Sequence, residues 1–256
     1  MNENQTFSRE NQPLPDDHVK QSYEKPPQEP ASPRNTAFNV YLVGDPGAVA
    51  PNNQDPVIDT LSARLADDPK ATVAYLGDIL YPEGLPPKDH RKRELMEGRL
   101  KTLLDPLIDH EGEVIVIPGN HDFKLGLEGG ESAASRLEDY INTYMHRRVF
   151  LPPNGCPGPV VIDRANLRMI VLNSEWWLQK GPRPIGDQYG CRAESGSDVF
   201  VMLEAAIANA QPEKQVLVMT HSPLYSDAVH GGRFKWHHHL FPFRVTRKQL
   251  WIPLPF

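Results

Sequence analysis

Asp45, Asp78, Tyr81, Asn120, His121, Asp122 and His221 are the side chains whose types and spacing could do chemistry together. Each stands in a short polar motif that ends an apolar run: GDPG at Gly44 to Gly47, GDILY at Gly77 to Tyr81, GNHD at Gly119 to Asp122, and THSP at Thr220 to Pro223. Carboxylates, an amide oxygen and an imidazole are the vocabulary of a metal-centred hydrolase. Asp45 closes VYLVGD and Asp78 closes VAYLGD. Alone, either is as well explained as a turn or helix-cap aspartate, whereas the pair reads as two hard oxygen ligands. Tyr81 follows Asp78 by three residues on a turning loop, a spacing that can bring both oxygens to one ion. A phenol titrates at about 10, so it ligates only an ion acidic enough to take its proton, which points to ferric iron; its other reading is a core or lid residue. Asn120 and His121 follow VIVIPG. The amide suits a divalent ion, and the imidazole beside it can serve a substrate as proton donor or charge stabiliser. Asp122 is expected to orient that imidazole. His221 ends QVLVMTH; it is a ligand if it joins the others and a satisfied core histidine if it does not.

The elements that would position these residues alternate. Phe38 to Val43 and Thr72 to Leu76 are β-rich apolar runs, separated by a helix whose start is marked by Asp55 and Pro56 and whose face carries Val57, Leu61 and Leu65. A helix over Glu94 to Ile108, a strand over Glu113 to Ile117 and a helix around Ser132 to Tyr144 follow. A hairpin from Val160 to Asn173 is expected to turn near Ala165 and Asn166, and beyond it come a helix from Asp198 to Asn209 and a strand from Gln215 to Met219. Strands alternating with helices, plus a hairpin, predict an α/β fold with a largely parallel sheet or pair of sheets. All four polar motifs fall at the carboxyl ends of strands, where ligands gather in such folds.

Residues 1–36 are poor in apolar side chains and rich in proline, and read as a disordered leader; the folded domain is expected over 37–256. The net charge of -6 argues against a general nucleic-acid or anionic-membrane binder. RKR at Arg91 to Arg93 is the only basic run and reads as a solvated helix face. No run approaches the roughly 20 apolar residues of a membrane span. Met1 is followed by polar residues rather than a signal-peptide pattern, so export is expected only if an upstream segment supplies the address. Cys156 and Cys191 lie in loop-like sequence and allow one disulfide or none.

The order and strand-end context of the motifs resemble the calcineurin-like metallophosphoesterase superfamily from about Phe38 to Tyr225. The resemblance implies a metallo-dependent phosphatase fold: two packed mixed β-sheets flanked by helices in an αββα sandwich. It also implies a binuclear centre in which Asp78 bridges two ions. Asp45 would complete the first site and Asn120 and His221 the second, with His121 as the non-ligand catalytic histidine. The histidine of the family's Asp-X-His motif is replaced here by Gly47, and the second motif gains Tyr81. That exchange resembles the purple acid phosphatase branch, implying Fe(III) at the Tyr81 site and Fe, Mn or Zn at the other. NGCPGP, EWWL, HSPLYS and HGGRF with HLFPF are similar to a bacterial group of metallophosphoesterases. The substrate implied is a phosphate monoester or diester, with His121 assisting the leaving oxygen. Trp176 and Trp177 are either a stacking surface for an aromatic leaving group or core and rim packing.

The family's last motif, Gly-His-X-His, has no counterpart among the ten histidines. The expectation is a domain incomplete at its C-terminal end; the alternative substitute is the His-X-His spacing within His237, His238 and His239. The rival to a phosphoesterase is a non-catalytic scaffold short of metal ligands. A nucleotide-binding domain lacks support, since the chain has no Gly-rich phosphate loop with a lysine.

Overall fold

The computed structural model describes residues 39–49 and 55–224. The proline-rich leader and the histidine run at His237 to His239 lie outside them. The first sheet is β1 (Val40–Val43), β2 (Thr72–Leu76) and β3 (Val114–Ile117), parallel and in that order. Parallel neighbours need crossovers, supplied by α1 (Pro56–Asp67) and α2 (Arg93–Leu104). The Asp55 carboxylate accepts the N–H groups of Val57 (2.9 Å) and Ile58 (3.2 Å), so the expected cap starts α1 with Pro56 in its first turn. α2 ends four residues sooner than its apolar stripe suggests. Pro106 has no N–H to continue the ladder, and Asp105–Leu107 tightens into a 3-10 turn instead.

α3 (Gly130–Tyr144) leads to the second sheet, which comprises β4 (Val160–Arg164), β5 (Leu167–Val171) and β6 (Gln215–Met219). β4 and β5 are the expected antiparallel hairpin, turning at Ala165 and Asn166, and β6 runs parallel to β5. The connection from β5 to β6 holds the short α4 (Glu175–Leu178) and α5 (Gly196–Ala208). One face of the first sheet (Ala74, Ile115, Ile117) packs on Met169, Val171 and Met219 of the second. Its other face (Val73, Tyr75, Val114, Val116) packs on α1, α2 and α3 through Leu61, Leu65, Leu100, Leu103, Leu137 and Ile141. Two stacked sheets with helices outside are the architecture the sequence implied.

Three sequence readings are decided by packing. Cys156 and Cys191 form a disulfide between two buried loop positions. Trp176 is buried and donates its indole N–H to Pro184 O (2.7 Å), with Trp177 set edge-on against it, so it is a packing residue rather than a stacking platform. RKR is not one solvated face: Arg93 is buried, ion-paired with Glu97 (2.6 Å) and bonded to Pro86 O (2.7 Å), whereas Arg91 and Lys92 stay exposed. Among the described residues no helix is long and apolar enough to cross a membrane.

Candidate metal centre

β1, β2, β3 and β6 deliver their polar motifs to one end of the sandwich. Asp45 and Asp78 both take left-handed backbone, φ 52° and 53°, which aspartate tolerates better than most residues. Such backbone settings cluster at functional sites. Ligand atoms of Asp45, Asp78 and His221 lie within 4.8 Å of one another. The Tyr81 phenol oxygen lies 2.7 Å from Asp78 Oδ2 and 3.3 Å from Asp45 Oδ1. It has one hydrogen to offer two carboxylates. Burial, then the hydrogen bond and charge of Asp78, then Asp45, hold the phenol well above its ordinary range.

The opposite side of Asp78 faces different partners. Its Oδ1 accepts His121 N–H (2.9 Å) and lies 3.5 Å from His221 Nε2. His221 Nδ1 sits 2.8 Å from Leu76 O, which as a carbonyl can only accept, so Nδ1 carries the hydrogen. In the neutral imidazole the Nε2 lone pair then faces Asn120 Oδ1 at 3.0 Å. Two electron-pair donors so close suit a shared cation. Together with the crowded Asp45, Asp78 and Tyr81 oxygens, this donor set fits hard or borderline metal ions. The sequence-predicted ligands Asp45, Asp78, Tyr81, Asn120 and His221 are thus brought together.

The glycine in place of the family's histidine is required by the backbone. A Cβ at Gly47 would lie 2.4 Å from Asp78 O and 2.6 Å from Ile79 O, because Gly47 N–H itself donates to Asp78 O (2.9 Å). The first two motifs therefore cross backbone to backbone, with no room for an imidazole at position 47.

His121 is placed differently from its expected partner. Its Nδ1 lies 2.6 Å from Pro82 O, so Nδ1–H donates there and Nε2 is the free end, 4.0 Å from Asp78 Oδ2. The expectation that Asp122 orients this imidazole is corrected. Asp122 is wholly buried and accepts the N–H groups of Gly119 (2.8 Å), Leu80 (3.0 Å) and Ile79 (3.1 Å). Its carboxylate pins the second motif to the third and never reaches the ring. Burial pushes its pKa up to about 7 against those three donors, which pull it down.

Sequence reasoning also missed supports that carry no motif. Arg99 donates to Tyr81 O (3.1 Å). The buried Glu175 accepts Ser222 Oγ–H (2.8 Å), and Ser174 Oγ accepts Ser222 N–H (3.0 Å), steadying the residue after His221. A carboxylate directly before two tryptophans was the one available signal for the latter pair.

The sequence pattern of calcineurin-like phosphoesterases matches residues 38–248. The chain belongs to that family. The family is one of metal-dependent phosphoesterases in general terms and implies divalent metal ions, for which the Asp45, Asp78 and His221 cluster is the candidate site. None of the curated proteins compared with the chain matches it.

Proposed function

We propose that the chain is a two-metal phosphoesterase of the purple acid phosphatase-like branch, acting on a phosphate monoester or diester. The observation that carries this is the division of Asp78: Oδ2 faces Tyr81, and Oδ1 lies toward His221. One carboxylate with a distinct set of donors at each oxygen is what a bridging ligand requires. Asp45, Tyr81 and Asp78 would hold one ion, ferric iron by the acidity a tyrosinate ligand demands. Asp78, Asn120 and His221 would hold the other, iron, manganese or zinc by the chemistry of those ligands. Ions held there supply Lewis-acid activation of water and of the phosphoryl group.

The chain's own residues do the rest. Leu76 O fixes the tautomer of His221 and so presents its Nε2 to the centre. Pro82 O does the same for His121, leaving Nε2 to carry a proton toward the leaving oxygen when the ring is protonated. Asp122 acts by holding the loops that bear Asp78 and Asn120 in register.

Hydrolysis of 4-nitrophenyl phosphate, assayed with added iron, manganese or zinc, tests this reading. Asp78→Ala is expected to lose at least about a hundredfold in rate, beyond what is usual for residues that merely support a ligand. Unchanged turnover in that variant would sink the two-metal assignment. No turnover by the wild-type chain under any metal would favour the non-catalytic scaffold.

A further inference from the structure

A cavity of about 430 Å³ opens beside the metal centre, within the size range of small-molecule sites. It shares a wall with the centre: Pro82, which receives the His121 Nδ1–H, lines it, and so does Lys124, whose N–H donates to His121 O (3.0 Å). Its lining holds the cations Arg91, Lys92, Lys124 and Arg136 against one carboxylate, Glu83. None of these four cations is in an ion pair among the described residues. Lys124 Nζ is bonded to Glu128 O (3.1 Å) and Arg136 Nε to Leu85 O (3.0 Å), both neutral carbonyls. Burial and then the neighbouring Arg93 pull the Arg136 pKa down, against the Glu131 carboxylate, which raises it. Pro82, Pro86 and Pro87 stiffen the backbone of the lining, which lowers the ordering cost at binding.

We propose that this cavity receives a second phosphoryl group carried by the leaving-group portion of the substrate, so that the chain selects small phosphate esters bearing another phosphate. The inference rests on the hydrolase reading above. Guanidinium and ammonium groups are the side chains that recognise phosphate oxygens. His121 stands between the two places: its Nε2 looks to Asp78 and its Nδ1 is tied to the cavity wall, so a leaving group passing His121 is led over Pro82 into the cationic lining.

The test compares fructose 1,6-bisphosphate with fructose 6-phosphate, using the metal-reconstituted full chain. The bisphosphate is expected to have a kcat/KM at least about tenfold higher, carried mainly by KM, as one or two charge-assisted hydrogen bonds would give. Lys124→Met with Arg136→Met should bring that ratio close to one. Arg91→Gln with Lys92→Gln, at exposed positions where folding is not at stake, should lower it several-fold. Equal kcat/KM for the two sugars in the wild type, or a ratio unmoved in both variants, overturns the proposal while leaving the hydrolase reading intact. If neither sugar phosphate is turned over with any metal, binding decides; the hydrolase reading itself fails only if 4-nitrophenyl phosphate is not turned over either. Calorimetric titration of fructose 1,6-bisphosphate in EDTA should then be at least about tenfold weaker for the Lys124→Met, Arg136→Met chain, and equal affinity would overturn the site.

Discussion

Asp122→Ala removes the one acceptor that three buried backbone donors share. Gly119, Leu80 and Ile79 direct their N–H groups at its oxygens from 2.8, 3.0 and 3.1 Å, and the carboxylate is wholly buried. Alanine leaves those donors without a partner in a place water does not reach. Each unsatisfied buried donor costs about 1 to 3 kcal/mol, so the loss is about 3 to 9 kcal/mol, a large part of the stability of an ordinary domain. Asp122→Asn keeps one carbonyl oxygen of the right shape and should lose only about 1 to 3 kcal/mol. Urea unfolding in EDTA, where metal release cannot contribute, measures both. Because the donors belong to the loops carrying Asp78 and Asn120, metal affinity of the alanine variant should fall as well. A loss under about 1 kcal/mol for Asp122→Ala would refute the reasoning, since it would mean the donors find other partners.

The same carboxyl gives a pH dependence. It is pushed up to about 7 in the folded chain, whereas an unfolded aspartate titrates at about 3.9. Between those values the folded state holds the extra proton, so metal-free stability should be highest at the acidic end and fall as pH rises through 7; Asp122→Asn should flatten that slope in urea titrations. Cys156 and Cys191 close a loop of 35 residues, so Cys156→Ser with Cys191→Ser should cost about 3 to 4 kcal/mol in urea unfolding; no change would place the constraint elsewhere. Gly47→Ala puts a Cβ 2.4 Å from Asp78 O and should destabilise by about 1 to 3 kcal/mol while lowering metal content, read by denaturation and elemental analysis.

The strands β2 and β6 and the hairpin were legible because their apolar runs are bounded by turn residues and contain no competing period. The residues proposed as ligands stood out because their motifs each follow such a run. What could not be read is whatever depends on backbone brought from far along the chain. Asp122 finds Ile79 and Leu80 at separations of 43 and 42 residues, and those donors leave no trace in side-chain pattern. Pro82 O, which sets the His121 tautomer, is silent for the same reason. Arg93 looked solvated within a basic run, but the turn before α2 folds it inward onto Glu97 and Pro86 O, leaving Arg91 and Lys92 facing the cavity. Gly47 was visible as a missing histidine, and only the crossing of two loops shows why no side chain fits there.

The central claim is that Asp78 joins two metal sites, one of them bearing Tyr81. Elemental analysis of the iron-loaded full chain, with its visible spectrum recorded on the same sample, tests it most directly. Two ions per wild-type chain are predicted, with a tyrosinate-to-iron absorption that disappears in Tyr81→Phe and a metal content that collapses in Asp78→Ala. One ion or none in the wild type, or a spectrum indifferent to Tyr81→Phe, would contradict the account.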